Sequence, residues 1–217
     1  MSLPRTDAKM GVRRNSKLAV RNPKPGRAFT LIELVVVISV IAILMGLLFP
    51  AFRGVQDQAK KTQAKNDLTQ IATAVNAFYT EYGRYPTSAT TNATATLGPG
   101  GSTPENGGLF NELRAITFVL NTRKIVYLSP PDAKNQTAPR SGIETATGGY
   151  YDPWGNEYAI ALDAEYGGTL TNPYGSNGAG SDPVHQGVIT WSLGNDAKLG
   201  NNGDGKFTSS DDVVSWQ

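Results

Sequence analysis

The 217-residue sequence contains no cysteine and only one histidine, His185. Without a thiol it can form neither a disulfide nor a Cys/His catalytic pair, and one imidazole cannot build a histidine-rich zinc site. A glycine-rich phosphate-binding motif of the Walker type is also missing. His185 lies among Gly, Asp and Pro residues, which predicts an exposed loop. We therefore expect a structural or binding protein rather than an enzyme, and we assign no catalytic residue.

Charge is distributed very unevenly along the chain. Residues 1 to 28 contain eight Lys or Arg residues and one Asp, a formal charge of +7, while the whole chain carries +2, so the remainder carries −5. A basic flank beside an apolar helix marks the cytoplasmic side of a membrane, which predicts that the bulk of the chain lies on the other side. Basic arms also bind nucleic acid, but this arm has no aromatic residue and we expect no nucleic-acid partner.

The stretch from Phe29 to Phe49 is almost entirely apolar, and Pro50 closes it. A helix needs about 20 apolar residues to cross the hydrocarbon core of a bilayer, so this stretch predicts a membrane span. Its only ionisable side chain is Glu33, and a carboxylate at that depth requires a partner. Cleavage between Ala28 and Phe29 would create one. The new α-amino group of Phe29 would pair with Glu33 of a neighbouring subunit and set the axial stagger between the two copies.

The apolar pattern continues beyond Pro50 with helical spacing. Apolar residues recur every three or four positions, at Leu68, Ile71, Ala72, Val75, Phe78, Tyr79 and Tyr82. We predict one helix from Phe29 to Tyr82, with this stripe under a folded head. The opposite face is expected in water and carries Lys60, Lys61, Lys65, Asp67, Gln70, Asn76 and Glu81.

The rest of the chain predicts short elements. Residues 87–108 are small and polar and read as a surface loop. Leu109 to Leu120 predicts a second helix, with Leu109, Leu113, Ile116 and Leu120 facing inward. Strands or extended segments are predicted at Ile125–Leu128, at Tyr150–Leu162 as a hairpin turning over Asp152–Asn156, at Val188–Leu193 and at Val213–Trp216. The segment 164–186 receives no role.

The string Ala28-Phe29-Thr30-Leu31-Ile32-Glu33-Leu34, the apolar run and Pro50 resemble the class III signal of type IV pilins and type II secretion pseudopilins. The strings GRYP at 83–86, DPWGN at 152–156 and SLG at 192–194 are similar to those of the major pseudopilins of type II secretion systems. One departure is that the family usually has Gly before the cleavage site, where this chain has Ala28.

The resemblance implies an α+β, type IV pilin-like fold. A long N-terminal α-helix, transmembrane in its first half, would pack on a small antiparallel β-sheet head with a C-terminal calcium loop. Residues 1–28 would be a cleaved basic prepilin leader, 29–50 the transmembrane and polymerisation helix, 51–83 the amphipathic helix of the head, and 84–217 the globular head. Within the polymerisation segment the implied residues are Phe29, Glu33 and Pro50.

The resemblance also implies a function and partners. A prepilin peptidase would cut between Ala28 and Phe29 and N-methylate Phe29. The subunit would then polymerise with itself and with minor pseudopilins, on an inner-membrane assembly platform, into a periplasmic filament that drives protein export. It would cross the bacterial inner membrane once, with its N-terminus in the cytoplasm and its head in the periplasm. Two alternatives stay open: a surface type IV pilin, and a membrane-anchored calcium-binding domain that does not polymerise.

A candidate calcium site lies near the C-terminus, where Asp, Asn and Gly residues crowd between Leu193 and Asp212. Read as a linear calcium loop, positions 3, 5, 6, 7 and 12 are Asn202, Asp204, Gly205, the carbonyl of Lys206 and Asp211, but position 1 is Gly200, which has no side chain. The pseudopilin resemblance implies instead Asp196, one or both of Asp211 and Asp212, and carbonyls such as that of Leu193. The two schemes could describe one site, and a solvated loop whose Asp and Asn residues cap turns is the alternative to both.

Overall fold

A computed structural model describes residues 29–87, 95–99 and 105–217. The chain divides into two units, Met1–Phe49 and Pro50–Gln217, and each is considered by itself. Helix α1 spans Leu31–Tyr82 and has 52 residues, which confirms the predicted long helix. Its segment Leu31–Leu48, in the first unit, has a mean hydropathy of 2.9 and no buried residue, and by length and composition it could cross a membrane.

In the second unit, α1 supplies one side of the core. Ala64, Leu68, Ile71, Val75 and Phe78 are fully buried at helical spacing, which confirms most of the predicted apolar stripe. Tyr79, also predicted in the stripe, is 37% exposed. The buried residues pack with the sheet and with the short helix α2, Gly107–Leu113. The hydroxyl of Thr190 on the sheet also donates a hydrogen bond of 3.2 Å to the carbonyl of Leu68 on the helix.

The opposite face of α1 differs from the prediction. Its charged residues are half-buried at the edges of the head rather than in water. Four of them bond a neighbouring segment: Lys61, Lys65, Asp67 and Glu81. Lys61 and Lys65 donate to the carbonyls of Ser210 and Val214 at 3.2 and 2.7 Å. The positions that are exposed between residues 58 and 80 are all uncharged: Gln58, Ala59, Thr62, Gln63, Asn66, Thr69, Gln70, Thr73, Asn76, Ala77, Tyr79 and Thr80.

Two antiparallel sheets build the rest of the head. The larger has the order β1-β4-β5-β6, with β1 Ala95–Leu97, β4 Ala159–Leu162, β5 Val188–Ser192 and β6 Val213–Val214. The smaller pairs β2 Gly142–Ile143 with β3 Tyr150–Tyr151. A 3₁₀ turn, Asn201–Gly203, lies in the C-terminal loop.

Both faces of the larger sheet are covered, because successive residues of a strand point to opposite sides. Ile160, Leu162 and Val188 face α1. Ala161, Ile189 and Trp191 face a second cluster, which contains Leu170, Tyr174, Ala179 and Val184. The segment 164–186, for which the sequence suggested no role, therefore forms the cover of the outer face.

Several short elements end where the sequence did not predict. Helix α2 stops at Leu113 rather than Leu120, and Ile116 is 56% exposed rather than inward. The reason is the Glu112 carboxylate, which accepts the backbone N–H groups of Val119, Leu120 and Asn121 and so holds them outside a helix. Part of the predicted loop 87–108 is strand β1, and the hairpin around Asp152–Asn156 joins strands of two different sheets.

Candidate functional sites: the start of α1 and the carboxylate cluster

The first turn of α1 closes on itself through Thr30 and Glu33. Oε2 of Glu33 accepts the backbone N–H and the hydroxyl of Thr30, both at 2.8 Å, and the N–H of Glu33 donates to Oγ1 of Thr30 at 3.3 Å. This reciprocal pattern is a capping box, which satisfies N–H groups that the first turn of a helix leaves without partners. In the single chain, Glu33 therefore has a local partner.

The capping box was readable in the sequence as Thr-x-x-Glu, but we interpreted Glu33 only as a membrane charge. Its predicted pairing with the α-amino group of Phe29 stays a prediction, because it involves a second copy. The predicted cleavage residue Ala28 lies outside the described residues. Pro50 lies within α1, and the helix continues beyond it to Tyr82.

The C-terminal loop brings three of the predicted ligands together. One carboxylate oxygen each from Asp196, Asp211 and Asp212 lies within 4.8 Å of the others. Backbone N–H groups hold two of these side chains in place. Oδ2 of Asp196 accepts the N–H of Asn202 at 2.7 Å, and Oδ2 of Asp211 accepts the N–H groups of Asn195 and, at 3.3 Å, Asp196. This arrangement corresponds to the ligand set implied by the resemblance.

Asp212 is the buried member of the cluster, with 4% of its surface exposed. Its Oδ2 accepts the N–H of Gly200 at 2.7 Å and the hydroxyl of Tyr174 at 2.8 Å. Its Oδ1 is buried and has no hydrogen-bond partner among the described residues. Burial raises the pKa of Asp212 to about 6, aided by the neighbouring Asp211 and Asp196, although the bonds from Gly200 and Tyr174 act in the opposite direction. The three carboxylates and the unpartnered buried oxygen supply the kind of oxygen ligands that a cation such as calcium uses.

The other predicted ligands lie outside this group of three. Oδ1 of Asp204 accepts the N–H groups of Asn201 and Lys206, both at 2.9 Å, and so closes its own turn. The amide of Asn202 donates to Oδ1 of Asn201 at 3.1 Å. The side chain of Leu193 packs in the outer cluster of the sheet, and ligation through its carbonyl and that of Lys206 stays a prediction. Among carboxylates, the geometry thus favours the ligand scheme from Asp196 over the linear loop.

The DPWGN turn supports the cluster from the neighbouring hairpin. Asp152 is fully buried, and its Oδ1 accepts the N–H groups of Trp154, Gly155 and Asn156 at 2.7–2.9 Å. Its Oδ2 accepts the hydroxyl of Ser192 at 2.6 Å. Burial raises the pKa of Asp152 despite these bonds. The turn residue thereby fixes the end of β5, from which the C-terminal loop begins.

Gly194, the last residue of the SLG string, contacts the DPWGN turn. Its N–H donates to Oγ of Ser192 at 3.1 Å, and its carbonyl accepts the amide of Asn156 at 2.5 Å. Its φ is +64°, and a Cβ on this residue would lie 2.6 Å from Cγ of Asp211. The glycine of SLG is therefore required for the close approach of the Asp211 carboxylate. Sequence reasoning identified both strings but did not connect Asp152 and Tyr174 to the cluster.

Two models of known protein families match adjacent parts of the chain, residues 24–49 and 52–112. The family described as "Prokaryotic N-terminal methylation motif" matches residues 24–49, and "Type II secretion system (T2SS), protein G" matches residues 52–112. No solved structure matched the chain significantly.

Curated relatives extend the match over most of the chain. The type II secretion system core protein G of Dickeya chrysanthemi is 27% identical over 180 residues, 82% of this chain and 95% of that protein. The core protein G of Escherichia coli is 26% identical over 77% of this chain and 92% of its own length. The type IV major pilin protein PilA of Myxococcus xanthus is 41% identical, but over 30% of this chain and 29% of that protein. The chain thus matches the N-terminal methylation motif and is similar, over most of its length, to core protein G, the major pseudopilin, of type II secretion systems.

Proposed function

We propose that this chain is the major pseudopilin of a type II secretion system and polymerises through α1 into a filament that drives protein export. The observation that carries the proposal is the continuity of one helix from an exposed apolar segment, Leu31–Leu48, into a head whose exposed helix face carries no charge between residues 58 and 80. The coverage of the protein G relatives supports it.

An exposed face without charge, as on α1 between residues 58 and 80, is unusual for a helix in contact with water. Exposed helix faces in soluble proteins are rich in charged residues. Here Lys61, Lys65 and Asp67 bond to the head instead. Oδ2 of Asp67, for example, accepts the hydroxyl of Tyr158 at 2.8 Å. Small polar and apolar side chains let helices approach closely and hydrogen-bond across their interface. We therefore assign this face to packing between copies in the filament.

The N-terminal motif supports a proposal for processing and location. The methylation motif covers the proposed cleavage position between Ala28 and Phe29, after which a prepilin peptidase would methylate Phe29. The basic residues before the apolar segment favour a cytoplasmic N-terminus in the bacterial inner membrane and a periplasmic head. Minor pseudopilins and an inner-membrane assembly platform would be its other partners. The proposed role is structural rather than enzymatic.

Calcium is the proposed ion of the carboxylate cluster. Asp196, Asp211 and Asp212 would hold it, and the buried, unpartnered Oδ1 of Asp212 supports the fit. Oxygen ligands on a glycine-containing loop suit this cation. When bound, it would neutralise the three carboxylates and tie the loop to β6, so its contribution would be to stability.

The filament proposal is tested at Glu33 with two matched variants. Glu33→Gln keeps a side-chain oxygen for the capping box and removes the charge, whereas Thr30→Val removes the capping hydroxyl and keeps the charge. We expect Glu33→Gln to abolish filament assembly and secretion in cells that carry the complete secretion system, and Thr30→Val to retain both. Normal assembly of Glu33→Gln would overturn the charge-pairing mechanism. Intact secretion on deletion of the gene, with surface filaments lost, would identify a surface pilin instead.

A further inference from the structure

The loop between α2 and β2 exposes an unusual number of apolar side chains. We call residues 116–126 the distal loop. Val119 is 77% exposed, Val126 60%, Ile116 56% and Phe118 44%. Water-exposed apolar side chains are common singly, but a group within 11 residues forms a patch of the kind that marks an interaction surface.

Two buried polar residues hold the distal loop in shape. The Glu112 carboxylate accepts the hydroxyl of Thr117 at 2.7 Å and three backbone N–H groups. Asn121 accepts the N–H of Ile125 at 3.1 Å and donates to the carbonyls of Glu112 and Ile125 at 2.8 and 2.7 Å. The apolar side chains are therefore presented on a fixed backbone, and a preorganised surface loses less entropy when it binds.

The distal loop is attached to the end of α1. The hydroxyl of Tyr82 donates to Oδ1 of Asn121 at 2.9 Å, and the N–H of Arg123 donates to the Tyr82 oxygen at 2.9 Å. Arg123 also pairs with Glu81. The ammonium of Lys124 lies 4.5 Å from the centre of the Phe118 ring. The patch is thus apolar with a basic edge, in a mature chain whose net charge is negative.

A second apolar surface lies at the other end of the same helix segment. Phe52 and Val55 are 65% and 69% exposed, and a shallow groove beside them is lined by Val55, Gln58, Ala59, Thr62, Gln63 and Asn66. Asp57 is exposed on the same turn. We call residues 52–59 the helix base. Outside the apolar segment and these two surfaces, the large apolar side chains exposed in the described chain are Tyr79 and Tyr166, whose rings stack with Tyr85.

We propose that the distal loop of one subunit docks on the helix base of a second copy in the filament, with Lys124 facing Asp57. The inference rests on the proposed function. Val55 and Tyr82 are 27 residues apart on α1, or about 40 Å. Two complementary surfaces at opposite ends of one subunit make a heterologous contact, which repeats without closing and so yields a filament. Opposite charges at the rim would set the orientation of the two copies.

Paired cysteines test the contact directly, because the chain has none of its own. The full chain carrying Val119→Cys and Val55→Cys is assembled in cells with the secretion system, and the filaments are oxidised. A disulfide needs Cα atoms within about 7 Å, so the two positions within one subunit cannot join. We expect a ladder of covalent multimers from the double variant. The single variants and a matched pair, Val55→Cys with Thr137→Cys on another exposed loop, should give none.

A second variant measures the contribution of the contact. Val119→Glu places a charge on the patch without changing a buried residue, so the melting temperature of the detergent-solubilised chain should not change. The amount of sedimentable filament should fall at least about tenfold, as expected for loss of one buried valine. Thr137→Glu, on another exposed loop, is the control and should assemble normally.

The outcomes separate this inference from the proposed function. Filaments that form without the ladder, or cross-links from Val119→Cys to a different protein, would overturn docking between copies while leaving polymerisation intact. Absence of filaments from the unmodified chain would overturn the proposed function itself, and the distal-loop contact with it.

Discussion

The hydroxyl of Tyr174 donates a 2.8 Å hydrogen bond to Oδ2 of Asp212 across 38 residues of sequence. Tyr174 is 1% exposed and belongs to the outer cluster of the sheet. The bond thus joins the segment 164–186 to the carboxylate cluster. Because Oδ2 is occupied, Oδ1 is the oxygen of Asp212 that remains for a cation.

Tyr174→Phe should weaken calcium binding. Loss of one buried hydrogen bond costs about 1 kcal/mol of stability, and the Asp212 side chain would lose its orientation. We expect a smaller rise in melting temperature on adding calcium to the detergent-solubilised chain. Tyr151→Phe removes a hydroxyl that bonds Glu157 at 3.1 Å, away from the cluster. That control should keep the full calcium response, and an unchanged response of Tyr174→Phe would contradict the positioning role.

Gly194→Ala should reduce calcium affinity by steric displacement of Asp211. The added Cβ would lie 2.6 Å from Cγ of that carboxylate, so the side chain must move. We expect at least a tenfold loss of affinity by titration calorimetry, since about 1.4 kcal/mol is tenfold. Gly168→Ala is the matched control because its φ is +74° and no atom lies within 4 Å of the added Cβ. If Gly194→Ala binds calcium as well as Gly168→Ala does, displacement of Asp211 does not weaken binding and the prediction is wrong.

Asp152→Asn should destabilise the head. The amide oxygen can replace Oδ1 toward the three backbone N–H groups, but the amide nitrogen would replace an oxygen that accepts the hydroxyl of Ser192 and the amide of Asn156, so both donors lose that acceptor. A buried donor without an acceptor costs about 1–3 kcal/mol. Chemical denaturation of the full chain should show this loss. Glu144→Gln, which alters an exposed carboxylate in a turn, should have a much smaller effect.

The stability of the head should depend on the ionisation of Glu112. Burial raises the pKa of this carboxyl, but the bonds from Thr117, Asn121, Leu120 and Val119 outweigh it and hold the pKa below its ordinary value. The unfolded chain therefore binds the proton more readily, and the stabilisation is present above the unfolded pKa of about 4.3 and is lost as pH falls through the folded value. The difference in unfolding free energy between the unmodified chain and Glu112→Gln should shrink below pH ~4.3. A difference independent of pH would contradict this assignment.

Local sequence patterns predicted the long helix, because the apolar spacing of α1 is carried by neighbouring residues such as Leu68 and Ile71. The same patterns gave the wrong end for α2. There the Glu112 carboxylate accepts backbone N–H groups seven to nine residues later in the chain. The cluster of Asp196, Asp211 and Asp212 was foreseen as a ligand set from a resemblance. The role of Tyr174 was not predicted, because its contact with Asp212 joins residues far apart in the sequence and no periodic pattern encodes it.

The exposed face of α1 between residues 58 and 80 carries no charge, and this affects how contacts through that face depend on the solvent. Dissolved ions screen the interaction between exposed unit charges, most strongly when the charges are more than a Debye length apart, and pH changes the charge of titrating groups. The exposed positions from Gln58 to Thr80 present no unit charge and no titrating carboxylate or amine. Contacts made by these side chains would therefore depend less on ionic strength and pH than contacts between charged side chains.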